Sequence, residues 1–140
     1  MKPIILLAVA VLALSGCAAA PAPKPAAPKT IPMAGTVVLE WMPVNSAYWW
    51  NDANTECHGA GDYASVQTGS DVIVADASGK TVQMGELGVP VLDDMICTYP
   101  FKMKVPAGSA FYKVSIAGKE VTVRKGELGK VTLTMGGVND

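Results

Sequence analysis

The sequence predicts an all-β fold: a small antiparallel β-sandwich of about seven strands, Ig-like or transthyretin-like in build, over residues 35–140. Three observations lead there. From Gly35 onward, short runs of β-branched and aromatic residues alternate with Gly, Pro and Asp punctuation. Residues 96–105 (ICTYPFKMKV) alternate strictly, so that Cys97, Tyr99, Phe101, Met103 and Val105 share one face while Thr98, Pro100, Lys102 and Lys104 take the other. No stretch carries a convincing amphipathic-helix pattern, and the turns around Glu86-Leu87 and Glu127-Leu128 allow one helical turn each at most.

The strands follow in order. Residues 36–42 (TVVLEWM) read as the first and residues 71–75 (DVIVA) as the second. Residues 76–80 (DASGK) form a tight hairpin into a third at 81–87. The alternating run at 96–105 is the fourth, and Pro100, which cannot donate a ladder hydrogen bond, places an edge or a bulge there. Residues 110–116, 120–124 and 131–135 complete the set. Two Phe, four Tyr and three Trp are few large fillers, which suits a thin sandwich of Val, Ile, Leu and Met.

Ahead of the domain the chain carries an address. Lys2 is followed by an unbroken apolar run at residues 4–14, 11 residues long. A bilayer span needs about 20 apolar residues, so this run fits the h-region of a signal peptide over residues 1–16. Leu14-Ser15-Gly16-Cys17 then resembles a bacterial lipobox. That resemblance implies a diacylglyceryl group on Cys17, cleavage before it, and a domain held to the outer side of the cell membrane. Residues 17–34 read as the lipid-bearing cysteine and an Ala/Pro-rich tether. Within it, 18–32 holds five prolines, which excludes a helix or a central strand and predicts an extended spacer reaching roughly 45 Å.

The formal net charge of −1, with Lys and Arg scattered singly, lacks the footprint of a nucleic-acid binder. Three cysteines occur. With Cys17 given to lipid, Cys57 and Cys97 can pair in an exported compartment or, together with His58, hold a metal, although one His and no CxxC make a thin ligand set.

Beginning at Cys57 a pattern runs Cys57-x-Gly59-x-Gly61-x-Tyr63, Thr68-Gly69, Val72, Val74, Asp76, Gly79-Lys80, Gly85 and Leu87. It continues through Cys97, Phe101, Val105-Pro106, Tyr112, Val114 and Leu128. It resembles a domain of uncharacterised secreted proteins and lipoproteins from actinobacteria, over roughly residues 54–135. Asp62, Ser65 and Ala117 depart from that pattern. The resemblance implies the fold, a Cys57–Cys97 bridge and export, and it implies no activity.

No catalytic constellation emerges. His58 sits in a glycine loop without a GxSxG elbow, no phosphate-binding loop is present, and no cofactor is implied. Asp93-Asp94 with Glu56 or Asp62 offer oxygen ligands for Ca²⁺ but lack its loop spacing. One loop, residues 43–56 (PVNSAYWWNDANTE), concentrates Tyr48, Trp49 and Trp50 among polar residues. Adjacent side chains in extended chain point oppositely, so both indole rings cannot enter one core face. The expectation is a non-catalytic, lipid-anchored interaction module whose partner contact is Tyr48, Trp49 and Trp50, meeting an envelope or extracellular protein. Two other readings are a carrier of a small apolar ligand, which needs an interior cavity, and, by analogy alone, a phage-encoded lipoprotein that blocks superinfection.

Overall fold

A computed structural model describes residues 26–40, 48–50 (backbone only) and 57–136. The leader, Cys17, most of the tether and residues 41–47 and 51–56 lie outside the described residues. Two four-stranded sheets face each other, as the alternation predicts. The first has the order β10-β1-β7-β6, from β1 (Thr30–Glu40), β6 (Val91–Asp93), β7 (Ile96–Pro106) and β10 (Val131–Met135). The second has the order β5-β4-β8-β9, from β4 (Asp71–Ala75), β5 (Thr81–Glu86), β8 (Phe111–Ile116) and β9 (Lys119–Arg124). A separate two-stranded ribbon joins β2 (Tyr48–Trp50) to β3 (Cys57–Gly59). The only helical elements among the described residues are 3₁₀ turns at Gly61–Tyr63 and Lys125–Glu127.

Period-2 patterning fills the space between the sheets. Met33, Val37 and Leu39 from β1, the odd residues Cys97, Tyr99, Phe101 and Val105 of β7, and Val131, Leu133 and Met135 of β10 point inward. They meet Val72, Val74, Tyr112, Val114, Ile116 and Val123 of the second sheet. No polar or charged residue is buried among the described residues. The facing sheets touch closely where β5 carries Gly85: a Cβ there would lie 2.7 Å from the Met103 terminal methyl, so Met103 occupies the space a side chain would take.

Several expectations are corrected in detail. Among the described residues there are ten strands; the seven expected are joined by β2, β3 and β6, each three residues long. The pairing is antiparallel except between β1 and β10, the first and last strands, which run parallel from Gly35↔Val131 to Leu39↔Met135. The first strand begins at Thr30, inside the stretch expected to be tether, and residues 30–34 pair with β7. Pro32 thus lies in a strand that has neighbours on both sides. It is tolerated because of which way its nitrogen faces. The Ala34 N–H donates to the Leu128 carbonyl (2.8 Å), away from β7, and alternation turns Pro32 the same way. β10 pairs with β1 only from Gly35, so no ladder bond is lost. Pro100 obeys the same logic. Its carbonyl accepts from Gly88 (2.7 Å) on the β6 side, beyond the end of the β6 ladder, so β7 presents an edge there as expected.

Candidate functional site

β1 and β7 pair antiparallel along their whole length, from Thr30↔Pro106 to Glu40↔Ile96. Eleven residues at about 3.3 Å each separate the two ends of the sandwich by roughly 33 Å. The ends differ in chemistry.

At the Lys29 end, three polar turns are tied together. The Asp76 carboxylate accepts from the Ser78 N–H, the Ser78 hydroxyl and the Lys80 N–H at 2.8, 2.6 and 3.1 Å. These bonds, the Ser78 hydroxyl foremost, hold its carboxyl below the usual aspartate range. Ala77 donates to the Ser109 hydroxyl (3.1 Å), Lys125 Nζ to the Ala107 carbonyl (2.9 Å), and Ala107 N–H to the Lys29 carbonyl (2.8 Å). The described chain enters β1 here.

The opposite end carries the ribbon. Tyr48, Trp49 and Trp50, expected in a loop, instead form β2, and their backbones pair with Gly59, His58 and Cys57. Four restraints hold β3 to the sandwich. Cys57 is joined to Cys97 by a disulfide with Cα atoms 6.0 Å apart. The Tyr99 hydroxyl donates to the Cys57 carbonyl (3.2 Å). Gly59 N–H donates to the Val66 carbonyl (3.1 Å). Gly59 also fits so tightly that a Cβ would strike the carbonyl oxygens of Tyr63 and Val66. Burial pushes the Tyr99 hydroxyl above the usual tyrosine range.

Beside Cys97 lies the β6–β7 hairpin. Asp93 pairs with Ile96 across a two-residue turn in which Asp94 and Met95 have φ of 45° and 61°. Both central residues are left-handed, as a type I′ turn requires, though neither is Gly. For Met95 the conformation costs about 1 kcal/mol. Of the seven exposed large hydrophobic residues among those described, four fall at 89–96: Val89, Val91, Met95 and Ile96, with Val91 and Met95 61% and 59% exposed. Sequence reasoning missed this patch, because a hairpin without Gly at its turn gives no local signal and Asp93-Asp94 drew attention only as oxygen ligands.

Other expected chemistry does not converge. His58 is half-buried in β3, Asp62 lies in the first 3₁₀ turn, and Asp93 and Asp94 lie in the hairpin. Glu56 is outside the described residues. Among the described residues no group of three or more His, Cys, Asp or Glu is placed to hold a metal ion. The chain matches no protein-family model, no curated protein and no solved structure.

Proposed function

We propose that this chain is a lipid-anchored module of the cell envelope whose contact surface is the ribbon end of the sandwich, built from Tyr48, Trp49, Trp50 and the Val91–Met95–Ile96 patch. One observation carries the reading: the two ends are chemically unlike and lie a strand's length apart. The Lys29 end, which continues into the tether, is saturated with hydrogen bonds between turns. The far end brings the strand holding three consecutive aromatic residues, through the Cys57–Cys97 link, to the end of the molecule where exposed apolar side chains gather. Aromatic and Met residues dominate interface contacts because they offer large area at little entropic cost. In a single chain anchored through Cys17, that end lies a strand's length beyond the point where the tether joins. The carrier alternative is disfavoured by Tyr99, Tyr112, Met33 and Met135, which occupy the space between the sheets.

The test uses the full chain in its own envelope, with a photo-reactive amino acid at position 95 or, as control, at position 78 in the turn of the Lys29 end. Position 95 should cross-link to an envelope component that position 78 does not reach, and Trp49→Ala with Trp50→Ala should abolish that product while melting changes by less than about 1 kcal/mol. Equal labelling from both positions, or a product that survives loss of both tryptophans, would overturn the reading. So would a double variant destabilised by ~3 kcal/mol, which would make the rings core plugs. Cys17→Ser should move the chain out of the membrane fraction; if it stays, the anchor is wrong.

A further inference from the structure

A second surface owes nothing to the ribbon end. β10 closes the first sheet, with β1 as its sole strand neighbour among the described residues. The even residues of β1 turn their N–H and C=O toward β10, as the Ala34 bond to Leu128 fixes. In a parallel ladder with Thr36↔Thr132 and Val38↔Thr134, they engage Val131, Leu133 and Met135. The N–H and C=O of Thr132 and Thr134 therefore point away from the sheet, four strong hydrogen-bonding groups in a row. Natural sandwiches blunt such an edge with Lys, Pro, bulges or a covering loop. β10, VTLTM, has no charge, no Pro and no bulge, buries Val131, Leu133 and Met135, and exposes only two threonines. An open groove runs beside it, lined by Val121, Thr122 and Val123 of β9, by Val131 and Thr132, and by Glu127 and Lys130 of the preceding turn.

We infer that β10 is a dimer edge, pairing antiparallel with β10 of a second copy about a two-fold axis through Leu133. That register sets Thr132 opposite the partner's Thr134, and Thr134 opposite the partner's Thr132, so all four outward groups on each chain are satisfied at once. A register centred on Thr132 or Thr134 engages fewer of them. The register brings no like charges together: Lys130 comes opposite the partner's Gly136, and no two charged residues oppose each other from 130 to 136. Threonine pairs across strands are favourable, and the apolar inner row of Val131, Leu133 and Met135 continues into its symmetry mate. Two sheets of four strands become one of eight. Because β10 runs parallel to β1, this pairing sends the two tethers out at opposite ends of the joined sheet, so in the dimer the strands lie along the membrane and each ribbon end faces sideways. Failure of the pairing leaves the ribbon-end contact of the single chain untouched.

Charge tests it directly. In the full-length chain purified in mild detergent, Thr132→Lys with Thr134→Lys sets Lys against Lys twice, and Thr132→Glu with Thr134→Glu does the same with Glu. Both positions are exposed, so the monomer fold should survive, which circular dichroism checks. Sedimentation should show a wild-type dimer, each variant dissociating roughly tenfold or more readily, and an equimolar mixture of the two recovering heterodimer. A wild type that stays monomeric, a Lys variant that dimerises as well as wild type, or a mixture that recovers nothing would overturn the inference. If the variants misfold, Thr132→Cys and Thr134→Cys chains replace them. A covalent dimer should form when the two are co-expressed and not from either alone, since only opposed residues lie at disulfide spacing. Linkage from either variant alone would reject the register.

Discussion

Replacing both Cys57 and Cys97 by Ala asks how much of the sandwich depends on one cross-link. The bridge closes a loop across 40 residues, and by loop-closure entropy it restricts the unfolded chain by ~4 kcal/mol. Both sulfur atoms are fully buried, so their removal adds packing loss of about 1 kcal/mol. Together these approach the whole stability of a marginal domain, about 5–15 kcal/mol. For a domain of about this size the loss lowers the melting temperature by roughly 15–30 °C. Thermal denaturation followed by circular dichroism measures it, and reductant added to the wild type should reproduce the variant's curve. The structure also says where the damage begins. β3 is tied by the bridge, by the Tyr99 hydroxyl and by Gly59 to Val66, whereas β8 is laddered on both sides. Hydrogen exchange should therefore strip protection from the Gly59 amide while amides of β8 still resist. A variant losing less than about 1 kcal/mol, or one whose Gly59 amide keeps wild-type protection, would refute the reasoning.

Two further substitutions probe the core. Gly35→Ala puts a Cβ 2.6 Å from the Phe101 ring and against the Val131 carbonyl, and because that oxygen belongs to the β10 backbone it cannot swing aside. A loss of about 3 kcal/mol in denaturant titration is expected. Tyr99→Phe removes the bond to the Cys57 carbonyl and should cost about 1 kcal/mol at neutral pH. The same variant changes the alkaline limb. Since burial raises the Tyr99 ionisation in the fold above that in the unfolded chain, its contribution is complete below the ordinary tyrosine range and is lost as pH rises through and above it. Stability of Tyr99→Phe should thus fall less steeply than wild type in that range; parallel slopes would contradict the assignment.

How much of this was legible before any coordinates depended on how local the determining interaction was. β4 and β10 appear with the bounds their sequence implies, and β5, β7, β8 and β9 shift by one residue at an end. In each, period-2 alternation and flanking turn residues decide the outcome locally. The start of β1 was hidden because Pro32 is excluded from a strand only if its missing N–H faces a partner. Which side it faces depends on where β10, a hundred residues later, begins to pair. The parallel pairing of β1 with β10 is likewise invisible to any local pattern. The ribbon was hidden for a third reason. A three-residue strand is not stable alone, and this one exists through a disulfide and contacts with residues 63, 66, 97 and 99. Its three aromatic residues were visible as a cluster, but not the strand they make.

The contrast between the two ends follows from the turns each uses. At the Lys29 end the chain reverses through side chains that bond the backbone: Asp76 closes 76–80, Ser109 accepts from Ala77, and Lys125 caps Ala107. Such turns satisfy their own polar groups. At the ribbon end two of the reversals, between β6 and β7 and between β8 and β9, are two-residue turns held by the ladder itself, with left-handed backbone at Asp94, Met95 and Ala117. Met95 stands 59% exposed at a position where Gly or Asn would be less strained. The flexible, polarizable thioether suits an adaptable contact surface. The same ladder that fixes β7 against β1 holds the Asp94-Met95 turn a full strand length from Lys29, where the described chain enters β1.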